Sequence, residues 1–318
     1  MITTSIHNAK QALTANEIVA IPTETVYGLA GNAYSEVALK KIFELKKRPL
    51  YNPLIVHIRS ADFLREVAVN IPAIAFEMAR EFWPGPLTLI LQKKPHIPGL
   101  VTAGKDTVAI RVPDHPLTLN LLEQLDFPLA APSANPFGSI SPTTAEHVAG
   151  YFKDSLPVVL DGGACRKGLE STIIGFENGR PVLFRPGAVS MEDIEQKTGK
   201  LLVQTNGSGT DVMAPGMLSK HYSPLTRTYL THDVQEYLHL IQDKKAGLLL
   251  FKESVNDNTI IQQEILSASG DMAEAARNLY AALHRLDKLG LDLIIAERLP
   301  DHGLGKTIND RLQRATEQ

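Results

Sequence analysis

Cysteine is almost absent from this sequence of 318 residues, since Cys165 is the single example. One cysteine can build neither a disulfide framework nor a cysteine-based zinc site. Long hydrophobic runs are missing too, because no apolar stretch reaches the roughly 20 residues of a membrane-spanning helix. The N-terminal residues lack the apolar core behind a positive charge that marks a secretory signal. Together these absences predict a soluble protein of a reducing, cytoplasmic compartment.

The sequence also has little net charge, −3 at neutral pH, which argues against a generally basic nucleic-acid binder. Several catalytic and cofactor motifs are missing as well. Residues 302–307 approach a phosphate-binding P-loop, but Pro300 stands where that motif needs its first glycine. There is no G-x-G-x-x-G after a strand, no H-E-x-x-H, no metal-type histidine spacing and no G-x-S-x-G. These absences exclude the common dinucleotide, zinc-protease and serine-hydrolase sites.

The sequence does contain enough apolar residues for a packed core, 44% against 21% charged. Along residues 1–204 short apolar strands alternate with amphipathic helices, which predicts an α/β domain. Many of its strand ends carry polar residues, so we expect a site along one edge of the sheet. Residues 205–226 begin with a Gly-, Ser- and Thr-rich run and are interpreted as a linker. Residues 227–318 are predicted to form a second, smaller α/β domain.

The most informative stretch is a run of three cations, Lys46, Lys47 and Arg48, directly before Pro49. Residues 36–47 have the spacing of an amphipathic helix, and a proline disfavours helical geometry at the residue before it. The cations are therefore predicted at the tip of a helix, where they could hold a polyphosphate. The alternative is a solvated, lysine-rich helix end that suits the helix dipole.

Polar side chains also collect at other predicted strand ends. Thr23 and Thr25 follow a short apolar strand, and their hydroxyls either bind a ligand or cap local turns. Thr107 and Arg111 share one face of a later strand at a separation of about 13 Å. That separation suits the two ends of an extended ligand, unless Arg111 simply points into solvent.

The segment 133–144 combines small hydroxylated residues with prolines and a glycine. Its backbone N–H groups and hydroxyls could hold phosphate oxygens. The residues Ser141 to Thr143 are also candidate caps for a helix over 145–151. The single tryptophan, Trp83, lies at a Pro/Gly-rich turn, where it either stacks on a base or fills a gap in the packing. The side chains alone leave both pairs of choices open.

Five short motifs follow one another in an order that is typical of one family. They are Pro22-Thr23-Glu24-Thr25-Val26-Tyr27-Gly28-Leu29, Lys46-Lys47-Arg48-Pro49 with Asn52-Pro53-Leu54, Trp83-Pro84-Gly85-Pro86-Leu87-Thr88, Ala131-Pro132-Ser133-Ala134-Asn135 and Glu170-Ser171-Thr172. With these motifs the first domain resembles the threonylcarbamoyl-AMP synthase (YrdC-like) family, and residues 219–224 with the trailing domain resemble its longer, two-domain branch. The resemblance implies a YrdC-like twisted open mixed sheet with flanking helices, plus a smaller C-terminal Rossmann-like α/β domain.

The resemblance implies a nucleotidyltransferase that makes L-threonylcarbamoyladenylate and pyrophosphate from L-threonine, bicarbonate and ATP, with Mg²⁺ accompanying the ATP. Its product supplies the threonylcarbamoyl group of N6-threonylcarbamoyladenosine in tRNA, and hand-over to a tRNA-modifying complex is a further hypothesis. By motif match, the implied L-threonine-binding residues are Thr25, His57, Arg111, Ala131 and Ser171. The implied ATP-binding residues are Arg48, Asn52, Thr107, Ser133, Asn135, Ser141, Arg185 and Tyr222.

Lys46 and Arg48 take the catalytic role in this interpretation, because they can offset charge on the triphosphate while positioning does the rest. No residue demands a covalent intermediate. We hypothesise that Tyr222 and the linker fold over the site as a lid.

Two other functions remain compatible with the residues. In the first, a basic groove binds structured RNA without chemistry of its own, with a steep salt dependence. Its cations are Lys40, Lys41, Lys46, Lys47 and Arg48. In the second, the same domain serves a carbamoyl-handling enzyme that uses carbamoyl phosphate. The absence of acylphosphatase-like and cysteine-rich zinc segments argues against this second alternative.

Overall fold

The computed structural model describes residues 1–203, 221–238, 241 and 244–316. Within these ranges one sheet lies before residue 204 and another after residue 227. The proposed linker and lid, residues 205–226, falls largely outside the described residues, of which only 221–226 belong to it. The exact domain boundaries therefore stay predictions.

The first sheet is mixed and eleven-stranded, with the order β1-β8-β2-β3-β7-β4-β6-β5-β9-β10-β11. Its strands β1 to β11 are Ile2–Thr3, Val19–Ile21, Gly28–Asn32, Ile55–His57, Leu87–Gln92, Thr107–Arg111, Leu129–Ala130, Val158–Leu160, Thr172–Glu177, Arg180–Arg185 and Leu202–Val203. Strands β4 and β6 pair in parallel, with His57 opposite Arg111, whereas β4 and β7 pair antiparallel. The predicted open mixed sheet is confirmed.

Helices flank this sheet and account for its buried face. Helices α1 to α8 are Ile6–Thr14, Glu36–Lys46, Leu64–Val67, Ala73–Phe82, Gly99–Thr102, Pro116–Glu123, Ala145–Phe152 and Met191–Thr198. The cap of α7 differs from the prediction. The Thr144 side chain accepts from the His147 amide, whereas Ser141 donates to a carboxylate elsewhere. The predicted caps Ser141 to Thr143 were therefore one position or more too early.

The backbone conformation at the end of α2 explains why the three consecutive cations differ in their exposure to solvent. Lys47 adopts a left-handed conformation, with φ of 52°. Its amide donates to the Glu44 carbonyl, and the Arg48 amide reaches back to the Phe43 carbonyl at 2.9 Å. These two bonds form a Schellman motif, which reverses the chain direction. As a result Lys47 is exposed, while Lys46 and Arg48 point inward.

The second sheet is parallel and four-stranded, with the order β12-β15-β13-β14. Its strands β12 to β15 are Thr228–Thr231, Ala246–Leu250, Gln262–Ile265 and Leu293–Glu297, and its helices α9 to α11 are Gln235–Leu238, Met272–Asp287 and Leu304–Thr316. The predicted Rossmann-like α/β class is confirmed. In the described part of the chain, none of the helices combines the length and apolar character that crossing a membrane requires.

Some elements differ from the sequence-based prediction. The segment 93–105 has two prolines and two glycines, a composition that predicts a loop, yet it contains the short helix α5. The residue pattern over 233–243 predicts a helix, but only Gln235–Leu238 is helical among the described residues, and four positions lie outside them. The strands β12 and β14 were missed because both lie at sheet edges and carry polar residues without a clear period.

The two domains share an apolar core. Ile140 and Leu169 of the first domain belong to the same buried cluster as Leu279 and Leu283 of α10. Beside this cluster His147 of α7 stacks on His284 of α10, with ring centroids 3.9 Å apart. His284 also contacts the Ser141 carbonyl through Nε2, at 3.2 Å. Helix α10 is therefore packed directly on the segment that leads into α7.

We expect the apolar face of α2 to control stability. Leu39 is fully buried and Val37, on the same helix, is 58% exposed. Leu39→Ala should lower the free energy of unfolding by about 2–5 kcal/mol, because it removes buried methyl groups and leaves a cavity. Val37→Ala is the matched control and should change it by less than about 0.5 kcal/mol. Urea unfolding of both variants tests this, and equal effects would contradict the packing described.

We also expect the His147–His284 pair to make stability depend on pH. Burial lowers the pKa of His147 to about 4 and that of His284 to about 3, below the ordinary 6.5. The unfolded chain therefore binds more protons below pH 6.5, and stability should fall as the pH is lowered through this window.

The test compares urea unfolding at about pH 7, above the ordinary histidine pKa, with about pH 5, which lies between the folded and the ordinary pKa values of these histidines. His284→Phe keeps a stacked ring but cannot take up a proton, so it should reduce the pH dependence, of which other buried histidines such as His57 keep a share. His7→Asn, at an exposed position of α1, should leave the dependence as in the parent protein. An unchanged slope in His284→Phe would rule out the pair as its source.

Candidate active site

A cleft of about 570 Å³, its open mouth included, lies between the strand ends of the first domain and residues 221–222. Two sets of predicted residues meet there. The whole predicted L-threonine set lines it, namely Thr25, His57, Arg111, Ala131 and Ser171. Four members of the predicted ATP set line it as well, namely Arg48, Ser133, Arg185 and Tyr222.

The other predicted site residues lie behind the lining or apart from it. The Asn52 side-chain oxygen accepts from Nη2 of Arg48 at 2.7 Å, so Asn52 orients that guanidinium. Asn135 donates to the Pro136 and Ser139 carbonyls and shapes its own loop. Thr107 begins β6, opposite Gln92 and at the other end of the strand from Arg111. The structure therefore does not bring Thr107 into this cleft.

Lys46 and Arg48 are nearly inaccessible to solvent, at 1% and 7% exposure. Nζ of Lys46 donates to the Ser133 carbonyl at 2.5 Å and to the Asn135 carbonyl. Burial and the charge of Arg48 lower the pKa of Lys46 well below its ordinary value. Burial lowers the pKa of Arg48 to about 9. The alternative of a solvated helix end is therefore wrong for both residues.

Arg111 is held by three groups and does not point into solvent. Its Nη1 donates to the Thr25 hydroxyl at 3.0 Å, its Nη2 to a Glu24 carboxylate oxygen at 2.5 Å, and its Nε to the Gly85 carbonyl at 3.2 Å. The second oxygen of Glu24 accepts from the Asp114 amide at 3.0 Å. Glu24 is thus the counter-ion that fixes Arg111. Glu24 belongs to the first of the five sequence motifs, but no role was predicted for it.

The two roles predicted for the threonines that follow β2, turn formation and ligand binding, correspond to two different residues. The Thr23 hydroxyl accepts from the Thr25 and Val26 amides and donates to the Val26 carbonyl, which is turn chemistry. The Thr25 hydroxyl faces Arg111 in the cleft. At Trp83 the choice is resolved in favour of packing, since its ring is buried and its indole N–H donates to the Leu87 carbonyl at 2.7 Å.

Three buried side chains that line the cleft keep polar atoms that have no hydrogen-bond partner among the described residues. These atoms are Nδ1 of His57, Nδ1 of His221 and the hydroxyl of Tyr222. Burial and the charge of Arg111 lower the pKa of His57 to about 3, so its ring is neutral at physiological pH. Unpaired buried polar atoms are costly unless something meets them. Their convergence on one cleft indicates a polar ligand.

Glu170 is the acidic residue of the cleft lining. One of its carboxylate oxygens accepts from the Ser141 hydroxyl at 2.7 Å, and the other accepts from Nε of Arg311 at 2.9 Å. Burial opposes ionisation, but the charges of Arg311 and Arg185 outweigh it and lower the pKa of Glu170. Glu170 is therefore charged and fully engaged. The sequence contained Glu170 in a quoted motif, but nothing there pointed to Arg311.

Fold and cleft together define a two-domain α/β protein with a polar cleft whose lining includes three arginines. A family model described as "Telomere recombination" matches residues 11–187. A second model, described as "Threonylcarbamoyl-AMP synthase, C-terminal domain", matches residues 189–316.

Curated relatives and a solved structure agree with these matches. The threonylcarbamoyl-AMP synthase of Pyrococcus abyssi is 40% identical over 94% of this chain and 90% of its own length. The threonylcarbamoyl-AMP synthase of Bacillus subtilis is 41% identical over 98% of this chain and 92% of its own length. The crystal structure of P. abyssi Sua5 complexed with L-threonine superposes with a TM-score of 0.91 at 40% identity, covering 98% of this chain and 94% of that one. The chain belongs to the threonylcarbamoyl-AMP synthase family.

Gly187 allows two segments of the site to touch, which makes it a test of the local packing. A Cβ atom there would lie 2.3 Å from backbone atoms of Ser171 and Thr172 and 2.5 Å from the Glu170 carbonyl oxygen. Gly187→Ala should therefore lower the free energy of unfolding by about 1–3 kcal/mol through overpacking.

The matched control is Gly150→Ala, in helix α7, where a Cβ atom would meet nothing within 4 Å. Alanine is the better helix former, so this variant should be neutral or stabilised by up to about 1 kcal/mol. Thermal and urea unfolding of the pair measures the difference. If Gly187→Ala matches Gly150→Ala, the close approach is not tight in solution.

Proposed function

We propose that this protein is an L-threonylcarbamoyladenylate synthase. It combines L-threonine, bicarbonate and ATP into L-threonylcarbamoyladenylate and releases pyrophosphate. The product then serves the N6-threonylcarbamoyladenosine modification of tRNA. The observation that carries the proposal is the meeting, in one cleft, of groups suited to an amino acid with arginines suited to a triphosphate.

At the amino-acid end, Arg111 is the proposed partner of the threonine carboxylate. Each of its terminal nitrogens carries a second N–H besides the one given to Thr25 or Glu24. A guanidinium can present such hydrogens to a carboxylate as a planar fork, which an ammonium cannot do. The neutral His57 ring and the Ser171 hydroxyl supply further polar atoms for the amino and hydroxyl groups of threonine.

At the nucleotide end, Arg48 and Arg185 are the proposed partners of the phosphates. Both guanidinium groups are buried, where charge acts more strongly than in water. Asn52 and the Pro53 carbonyl fix Arg48 through its Nε and Nη2 groups. The hydroxyl of Tyr222, which meets no hydrogen-bond partner in the part of the chain that the structure describes, is the proposed contact for a phosphate or ribose oxygen.

The proposed reaction needs positioning and charge neutralisation more than a protein nucleophile. The threonine nitrogen combines with bicarbonate, with loss of water, to form a carbamate. A carbamate oxygen then attacks the α-phosphorus of ATP, and the bond to the bridging oxygen of pyrophosphate breaks. Arg48, with Lys46 behind it, offsets the negative charge that develops on the leaving group.

Mg²⁺ enters this proposal as the cation that accompanies ATP. Across the described ranges, no group of three or more His, Cys, Asp or Glu side chains is arranged to hold a metal. The Glu170 carboxylate is already engaged by Arg311 and Ser141. Mg²⁺ is commonly bound through substrate phosphates with few protein ligands. We therefore treat it as part of the ATP substrate and assign it no protein site.

The RNA-binding alternative is weakened by burial of its key cations. Arg48 lines the cleft and Lys46 is buried behind it, so neither belongs to a surface groove, and Lys41 pairs with Glu17 at 2.6 Å. Lys40 and Lys47 remain exposed from that set. Two exposed lysines are a small surface for structured RNA.

The decisive test is pyrophosphate release from ATP with each amino acid in turn, with and without bicarbonate. We expect release that needs L-threonine and bicarbonate together. Arg48→Ala should lower kcat/KM by roughly 10²-fold, the usual loss when one preorganised charge donor is removed. Lys47→Ala is the matched control, because this neighbouring cation is exposed, and it should keep nearly full activity.

Absence of release with every amino acid would overturn the proposed function. Equal losses in Arg48→Ala and Lys47→Ala would instead show that the inward orientation of Arg48 has no bearing on the reaction. In either case tRNA binding as a function of salt would be measured next, since it separates the RNA alternative from chemistry on small molecules.

A further inference from the structure

We propose that Arg311, a residue of the second domain, is a positioning residue for the nucleotide end of the cleft in the first domain. This inference rests on the proposed function, because it assigns the ATP end as that function does. Arg311 belongs to α11 and is 1% exposed. It lies behind the cleft lining, so its influence passes through the residues that it contacts.

Three contacts of Arg311 lead to three different residues of the predicted ATP set. Its Nε donates to Glu170, whose other carboxylate oxygen holds the Ser141 hydroxyl. Its Nη2 donates to the Pro186 carbonyl at 2.7 Å, directly after Arg185 in the chain. Its guanidinium carbon lies 4.9 Å from the centroid of the Tyr222 ring. Arg311 thus touches the supports of Ser141 and Arg185 and the ring of Tyr222.

Two further residues of the second domain, Tyr280 and Thr307, contact the same part of the first domain. The Tyr280 hydroxyl of α10 lies 2.9 and 3.0 Å from the two carboxylate oxygens of Glu170. Thr307 of α11 donates to the Gly187 carbonyl at 3.2 Å. Helices α10 and α11 of the second domain therefore hydrogen-bond to the Glu170 carboxylate and to the segment that follows Arg185.

The hydrogen bonds to Glu170 matter for ligand binding because Glu170 is a negative charge beside the arginines of the cleft. Glu170 is buried at a cleft whose lining includes three arginines, Arg48, Arg111 and Arg185. Without a partner of its own, a buried carboxylate would turn towards these cations and cancel charge that a triphosphate needs. Arg311 supplies that partner from behind, and Asp310 in turn accepts from Nη1 of Arg311. The Glu170 charge is thereby engaged from behind the cleft lining.

The predicted signature is a selective loss of ATP recognition. None of the three contacts leads to Arg111, Thr25 or His57 at the amino-acid end. Ser171 of that end is reached only indirectly, as the residue after Glu170 and as an acceptor from Nη2 of Arg185. Arg311→Met should raise the KM for ATP roughly tenfold or more, because breaking a buried pair leaves an uncompensated charge. The KM for L-threonine should change less than about threefold, a difference under 1 kcal/mol. Arg311→Lys, which keeps the charge but not the forked geometry, should fall between Arg311→Met and the parent protein.

The matched control is Lys306→Met on the same helix. Lys306 also bridges the two domains, to Glu192 at 2.7 Å, but this pair is exposed and away from the cleft. Its loss should leave both KM values unchanged. If Lys306→Met reproduced the Arg311→Met pattern, any interdomain ion pair would serve, and the positioning role would be refuted.

Calorimetric titration with ATP alone separates this inference from the proposed function. If the parent protein binds ATP without releasing pyrophosphate, the function fails while the weaker ATP binding of Arg311→Met still tests the positioning role. An unchanged ATP affinity, or equal rises in both KM values, would overturn that role. If Arg311→Met does not fold, Tyr280→Phe decides. It removes one hydroxyl from Glu170 and should weaken ATP binding about threefold without affecting L-threonine; no change would refute the proposal.

Discussion

The desolvation of positive charge is the constraint on which the rest of this structure depends. Lys46, Arg48 and Arg185 are buried side by side around one cleft, and burial lowers the pKa of each of them. Such a cluster is unfavourable by itself, because each cation loses water and repels the others. The fold tolerates it by surrounding the cations with backbone carbonyls, which satisfy their N–H groups without cancelling their charge. A site of this kind favours an anionic ligand that completes the balance.

The second domain contributes to this balance although its own sheet lies elsewhere. It shares an apolar core with the first domain and sends Tyr280 and Arg311 to a carboxylate at the cleft. Residues 221–223 lie at the same place. His221 and Tyr222 line the cleft, and the Ser223 amide donates to the Gly138 carbonyl at 2.8 Å. Two domains that are separate in sequence therefore form one continuous environment around the site. Packing and electrostatics both hold them together.

Much of the fold could be predicted because its signals are local. Apolar residues recur at helical spacing in α2 and α10, and they form continuous runs in β4, β5 and β13. These patterns indicate directly which side chains are buried. The short strands β1 and β11 could not be predicted in this way, since two residues carry no period and their pairing depends on distant partners.

The site was predictable to the extent that motif and geometry agree. Residues that line the cleft, such as Thr25 and Ser171, belong to motifs whose order along the chain is specific. Supporting residues carried no such signal. Arg311 is separated from Glu170 by 141 positions, and only the packing of α11 against the first domain brings the two together. Thr107 shows the opposite case, because strand alternation predicts which residues share a face but carries no information on how far each lies from the cleft.

The reversal after α2 has a chemical consequence. Lys46 and Lys47 are adjacent in sequence, yet only the second is open to solvent. An amine-acylating reagent should therefore modify Lys47 in the folded chain and both lysines once the chain unfolds. The ratio of the two products would report how often this corner of the protein opens, without any probe having to be introduced.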